Sequence, residues 1–166
     1  MINVRLATEN DLVQILAIYN EVIANTAAVY DYEPHTLEMR RNWFNTKREQ
    51  GFPVFVAEEG GDVLGLSSIG PFRNWAAYQY SVENSIYVAA AARGKGIAKL
   101  LMPPVIKAAK DMGMHTIVAG IDAGNEASIQ LHRRFGFEEV AHFKQVGWKF
   151  DRWLDLKFLQ LILDNG

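Results

Sequence analysis

A glycine-spaced turn, Arg93-Gly94-Lys95-Gly96-Ile97-Ala98, sits between a strand-like run and an amphipathic stretch, and it constrains this chain more than any other segment. The run before it, Ser85-Ile86-Tyr87-Val88-Ala89, is β-branched and aromatic, whereas Lys99 to Met112 carries apolar residues at helical spacing. Glycines at 94 and 96 let the backbone turn tightly and keep side chains clear of a ligand. They also leave main-chain N–H groups free at the positive end of a helix, with Arg93, Lys95 and Lys99 close by. Such a turn is a cradle for phosphate groups.

Three phosphate-bearing ligands compete for it. The nucleotide loop G-x-x-x-x-G-K-[ST] has no match, since Leu100 follows Lys99. The dinucleotide fingerprint G-x-G-x-x-G begins at Gly94 and Gly96 but meets Lys99 at its third glycine. Asp122 could pose as its ribose-binding acid, yet only about seventy residues follow Gly94, too few for the remaining strands of that domain. The acyl-CoA pattern [Q/R]-x-x-G-x-[G/A] is satisfied at every fixed position by Arg93, Gly96 and Ala98.

Composition narrows the setting. A chain of 166 residues suits one domain, residues 1–166, with a sizeable core. The net charge of −2 gives no electrostatic case for nucleic acid or an anionic membrane. Cysteine is absent, which removes disulfides, thiolate metal sites and a cysteine nucleophile and fits a cytoplasmic setting. His35, His115 and His142 are spaced too irregularly for a metal site, so none is assigned. The N-terminus shows no signal-peptide core, and no apolar run approaches membrane-spanning length.

Periodicity orders the elements. Ile2 to Ala7 alternates as a strand, and Thr8 with Asp11 caps a helix whose face is Leu12, Ile15, Leu16, Tyr19 and Ile23. Thr36 caps a second helix that Gly51 stops. Pro53 to Glu59 and Val63 to Ile69 flank a Gly60-Gly61-Asp62 turn and read as a hairpin. A long strand is expected from Tyr78 to Val88, then the glycine turn and a helix interrupted by Pro103 and Pro104, which should cost main-chain bonds and bend it. Thr116 to Ile121 is a buried-type strand, and Asn125 caps a short helix closed by Gly136. Two last strands, Phe137 to Gln145 and Trp153 to Leu163, are expected to join through Val146-Gly147-Trp148-Lys149. The order β-α-α-β-β-β-α-β-α-β-β implies an α/β domain: one mixed, mostly antiparallel sheet with helices on both faces.

With the acyl-CoA pattern in that context, the chain resembles the GNAT superfamily of N-acetyltransferases over nearly its whole length. Tyr78-x-x-Ser81-Val82-Glu83-Asn84-Ser85-Ile86-Tyr87-Val88, Gly124-Asn125-Glu126-Ala127-Ser128-Ile129-x-Leu131-His132-x-x-x-Gly136-Phe137 and Val146-Gly147-x-Lys149-x-x-x-Trp153-x-Asp155 are similar to the phosphinothricin/methionine sulfoximine acetyltransferase group. The resemblance implies acetyl-CoA as co-substrate, with main-chain groups of Ile86, Tyr87 and Val88 pairing with the pantetheine arm as an added strand. Arg93, Gly94, Lys95, Gly96, Ile97, Ala98 and Lys99 would hold the pyrophosphate, and Asn125 and Ser128 would lie against the arm. It further implies that Arg73, Asn74 and Trp75, with Glu83, Asn84 and Ser85, meet a small amino acid, and that two chains form a homodimer. Many family members carry a tyrosine, a proposed general acid, where this chain has His132.

Two catalytic candidates follow, each with an ordinary alternative. Glu83 is either a solvated or salt-bridged strand residue or the base that takes a proton from the attacking amine. An α-amino group of pKa ~8 is only about one-tenth neutral at pH 7, so such a base has work to do. His132 is either satisfied by a neighbour on its helix or a proton donor to the leaving thiolate. The expected activity is acetylation of the α-amine of a small amino acid or analogue of the methionine sulfoximine, methionine sulfone or phosphinothricin type, by direct attack on the thioester. The alternatives are acetylation of a protein N-terminus or other amine, and a non-catalytic acyl-CoA-binding module.

Overall fold

The computed structural model describes residues 1–164. Seven strands form a single sheet: β1 Asn3–Leu6, β2 Val54–Glu59, β3 Asp62–Pro71, β4 Ser81–Val88, β5 Thr116–Asp122, β6 Glu138–Lys149 and β7 Arg152–Ile162. Their spatial order is β1-β2-β3-β4-β5-β7-β6. Every neighbouring pair is antiparallel except β4 and β5. Four helices cover the sheet: α1 Leu12–Asn25, α2 Leu37–Gln50, α3 Ile97–Asp111 and α4 Glu126–Arg134.

The period of two along the strands divides the core into two sides. Val54, Val56 and Leu66 pack with Leu12, Ile15, Ile18 and Phe44 from α1 and α2. Ile69, Val82, Ile117, Ala119 and Leu159 pack with Met102, Val105 and Ala109 of α3 and Ile129 of α4. Burial of these side chains stabilises each side at about 25 cal/mol per Å² of apolar surface. The local signals act where the sequence puts them. Thr36 accepts a hydrogen bond from the Met39 N–H at the start of α2, and Gly51 ends that helix at φ 78°. Asp11 is buried, takes the Thr8 N–H and is held bidentately by Arg5 at 2.8 and 2.9 Å.

Pro103 and Pro104 both lie inside α3. They supply no N–H to the carbonyls of Lys99 and Leu100, and because both of those residues are exposed, water can replace the lost donors.

Two expected boundaries move. The strand expected from Tyr78 begins at Ser81, because Ala76–Tyr78 form a single 3₁₀ turn. The join between the last two strands is not Val146 to Lys149: those residues are the end of β6, with Gly147 opposite Leu154 and Lys149 opposite Arg152. The chain turns instead at Phe150 and Asp151, whose φ values of 54° and 56° are those of a type I′ hairpin. Gly147 is no turn glycine. Its hydrogen faces the Tyr30 ring, which would lie 2.8 Å from a Cβ there.

Candidate active site

The site begins where a strand pair comes apart. β4 and β5 are in register only at Ser81 with Thr116, Val82 with Ile117 and Glu83 with Val118. Beyond Glu83, β4 runs on to Val88 paired with β3 alone, and β5 runs on to Asp122 paired with β7 alone. One edge of β4 from Asn84 to Val88 is thereby open, and Glu83 stands at the apex of the split. A free strand edge is the surface on which an extended, amide-bearing chain is bound by strand addition.

At the wide end, a cleft of about 480 Å³ is lined by Ile86, Val88, Gly94, Gly96, Asn125 and Ser128 among others. Gly94 and Gly96 have φ of 78° and 80°, and Gly96 is the residue from which α3 starts. A Cβ at either position would meet nothing within 4 Å. The left-handed backbone, the open space above it and the free N–H groups of the first turn of α3 fit a diphosphate. Lys95 and Lys99 are exposed beside it. Arg93 is not loose: its guanidinium donates to the Val88 carbonyl at 3.2 Å and pairs with Glu21 of α1 at 2.5 Å. Arg93 thus braces the rim of the cleft.

Below the apex lies a smaller cleft of about 180 Å³, lined by Glu83, Asn84, Ser85, Tyr87, Asp122 and His132. Ile86, Asn125 and Ser128 border both clefts, so the two meet at the start of α4. Asn125 accepts the Ser128 N–H and caps that helix. Burial pushes the Glu83 carboxyl above the usual carboxylate range, while the charges of Arg73 and Lys47 pull it back.

His132 is 4% exposed, and burial holds its pKa below the ordinary histidine value. Its Nδ1–H donates to the Ser128 carbonyl at 2.7 Å, and its Nε2 accepts from the Asn84 amide at 3.1 Å. The ring is neutral, and its one N–H is committed to the main chain. The Asn84 Oδ1 is buried with no hydrogen-bond partner among the described residues, an acceptor beside the cleft.

The structure does not gather all the expected substrate residues. Arg73 stacks its guanidinium 5.2 Å from the Phe72 ring and its charge reaches Glu83. Asn74 and Trp75, by contrast, are exposed and line none of the clefts described. Sequence reasoning missed three other groups. Asp122 ends β5 and accepts from the Tyr30 hydroxyl at 2.6 Å, fixing the wall opposite β4. Lys149 is buried and donates to the carbonyls of Ile23, Thr26 and Val29 at 2.7 to 2.8 Å, which ties down the segment carrying Ala28 and Val29 into the smaller cleft. Lys47 sets its Nζ over Gly70, the residue opposite Glu83 in the β3–β4 ladder. The hint available for Lys149 was its place in the tail motif.

Residues 14–137 match the model of the acetyltransferase (GNAT) family. This chain belongs to that family. It is 46% identical over 163 residues to the L-methionine sulfoximine/L-methionine sulfone acetyltransferase of Pseudomonas aeruginosa, covering 98% of this chain and 95% of the relative. Among solved structures, a ribosomal-protein-alanine N-acetyltransferase from Brucella melitensis superposes with a TM-score of 0.95 at 49% identity, over 97% of this chain and 99% of the other. The structure of yncA from Salmonella typhimurium with its cofactor acetyl-CoA superposes with a TM-score of 0.97 at 41% identity, over 99% and 95% of the two chains. The GNAT fold expected from the sequence is the fold observed, and the enzyme class is N-acetyltransferase. Among the described residues, no helix is long and apolar enough to cross a membrane, and no cluster of three His, Cys, Asp or Glu residues is placed to hold a metal.

Proposed function

We propose that this chain, as one catalytic domain over residues 1–166, transfers the acetyl group of acetyl-CoA to the α-amine of a small amino acid of the methionine sulfone or sulfoximine type, with phosphinothricin as a further acceptor. The observation that carries this reading is the position of Glu83 at the point where the β4–β5 ladder ends. A co-substrate arm laid along the open edge of β4 brings its thioester to that apex, and the half-buried carboxylate is there to meet the incoming amine.

Each group then has a task. Main-chain groups of Ile86 to Val88 take the arm, and Gly94 to Lys99 take the diphosphate. Glu83 accepts a proton from the substrate ammonium. The freed nitrogen attacks the thioester carbonyl directly, a C–N bond forms and the C–S bond breaks; the nitrogen gives its second proton to solvent, and the thiolate takes one from solvent. Cysteine is absent, so no thiol stands ready for a covalent relay. His132 has its N–H committed to Ser128, and this reading gives it a positioning role through Asn84 in place of proton donation.

The Brucella relative's name favours a second reading, an exposed protein N-terminus as acceptor. Thiol release with methionine sulfone, methionine sulfoximine, phosphinothricin and an alanine-initiated peptide separates the two. The free amino acids are expected to turn over at least tenfold more efficiently than the peptide, and the reverse order would overturn the proposal. A homodimer in the cytoplasm completes the reading. Its support is the exposed aromatic surface of β6 and β7, with Phe143, Trp148, Phe150 and Trp153 each about half exposed. Light scattering is expected to give twice the 18.7 kDa chain mass.

A further inference from the structure

Gly70 is opposite Glu83 across the β3–β4 ladder. Both residues face the α1–α2 side of the sheet, because alternation puts Leu66, Ser68 and Gly70 of β3 on the side of Glu83, Ser85 and Tyr87 of β4. A side chain at position 70 would be a direct neighbour of Glu83, since opposed Cβ atoms lie about 4.5–5.5 Å apart. That place is taken by an ammonium. Lys47 reaches down from α2 and sets its Nζ 2.7 Å from where a Cβ of residue 70 would be. It donates to the Ile69 carbonyl at 2.7 Å and lies 5.8 and 5.9 Å from the centres of the Trp43 and Phe52 rings. The absence of a side chain at Gly70 is what allows this seat.

Lys47 and Glu83 are neighbours without being partners. Each influences the other's ionisation, yet the two form no salt bridge. One hydrogen bond to Ile69 leaves the three-donor ammonium with capacity to spare. Burial, with the charge of Arg40, lowers its pKa to about 8, so it stays mainly charged at pH 7.

We infer that Glu83 and Lys47 together form a receptor for the α-amino acid zwitterion, with Glu83 meeting the ammonium and Lys47 the α-carboxylate. This inference rests on the amino-acid reading of the site given above. An α-amino acid carries its two charges on groups bonded to one carbon, so a cation for the carboxylate must lie close to the base that meets the amine. Lys47 is such a cation, fixed on a helix and a strand. Arg73 is then free to meet the oxygens of a sulfone, sulfoximine or phosphinate side chain, for which a planar fork is suited. The arrangement also selects against peptide N-termini, where the neighbouring group is a neutral amide that leaves the partly buried ammonium without an anion.

The test compares methionine sulfone with its C-terminal amide as acceptors for wild type, Lys47→Met, Lys47→Arg and Gly70→Ala. Wild type is expected to prefer the free acid. Lys47→Met is expected to cut that preference, as a ratio of kcat/KM values, by tenfold or more, chiefly through the KM of the acid, and Lys47→Arg should restore part of it. Gly70→Ala puts a methyl where the ammonium sits, and the lysine end can swing away without disturbing the fold. It is expected to lower the same ratio even should Lys47→Met fold poorly. An acid-to-amide ratio within twofold of wild type in both Lys47→Met and Gly70→Ala would overturn the inference and leave the amino-acid reading intact. Wild-type enzyme that acetylates neither compound would overturn the amino-acid reading and the inference with it.

Discussion

Asn84 donates to Nε2 of His132 across 3.1 Å of buried space, and this contact links the open strand β4 to helix α4. Nδ1 donates to the Ser128 carbonyl and Nε2 accepts from the Asn84 amide, and burial disfavours the charged ring, so the imidazole is neutral. A histidine kept neutral by burial has a folded pKa below its unfolded one. As pH falls through the unfolded value near 6.5, the unfolded chain gains a proton that the folded chain refuses, so stability declines. Unfolding of wild type and His132→Gln measured by urea between pH 5 and 8 should therefore show the wild-type advantage shrinking on the acid side. A difference that does not move with pH would mean that the ring is freely protonated in the fold.

The glycine turn makes a prediction about binding alone. Gly96 has φ 80° and open space around it, so a β-branched residue there is strained by its backbone and intrudes on the ligand's side of the loop. Gly96→Val is expected to weaken acetyl-CoA binding, read by calorimetry, by tenfold or more. The strain itself costs about 1–3 kcal/mol, which a thermal melt would register as a modest drop in Tm. Unchanged affinity in a folded variant would remove the diphosphate from this turn.

Lys149 carries a prediction that couples stability to substrate binding. Its ammonium serves three main-chain carbonyls from the end of α1 and the segment after it, at Ile23, Thr26 and Val29. Lys149→Met keeps the length and removes the donor of one buried and two partly buried carbonyls, at a cost of about 1–3 kcal/mol for the one that water does not reach. The variant should melt several degrees lower and show a raised KM for the amino acid, because Ala28 and Val29 border the small cleft. A lower Tm with an unchanged KM would confine Lys149 to stability.

What the sequence made legible follows from how local the signal is. The order of elements, the caps at Thr36 and Asn125 and the glycine turn are set by residues within a few positions of one another. Glu83 and the cleft residues Asn84 to Val88 were readable because one strand carries them all. The Phe150-Asp151 hairpin was not, since Phe150 is a poor residue for φ > 0 and Gly147 nearby offers a more ordinary turn signal. Lys47 and Lys149 were equally hidden. Each meets its partners across a helix–strand or helix–hairpin packing, 22 or more residues away in the chain, and a lone lysine carries no periodicity to mark it. Asn74 and Trp75 mark a different limit of the sequence: they are exposed and line neither cleft. Their residue types suit a binding loop, but side-chain chemistry does not say which way an exposed loop faces.

Glu83 gives the prediction that decides the mechanism. Its carboxyl is half-buried at the end of the β4–β5 ladder, and that burial raises its pKa, with Arg73 and Lys47 limiting the rise. A base loses its function when protonated, so the acid limb of the wild-type pH profile of kcat/KM should lie above the usual carboxylate range. Glu83→Gln keeps the shape and cannot accept a proton. It is expected to lower kcat/KM about 10²-fold or more at pH 7 and to abolish that limb, while acetyl-CoA affinity stays within a few-fold. The defect should shrink between pH 7 and 9.5, because a growing share of the substrate amine is already neutral in solution and needs no base. A glutamate that only orients the ammonium gives a different pattern, a raised KM that persists at high pH. Near-normal turnover of Glu83→Gln at pH 7, with saturating substrates and chemistry rate-limiting, would remove Glu83 as the base.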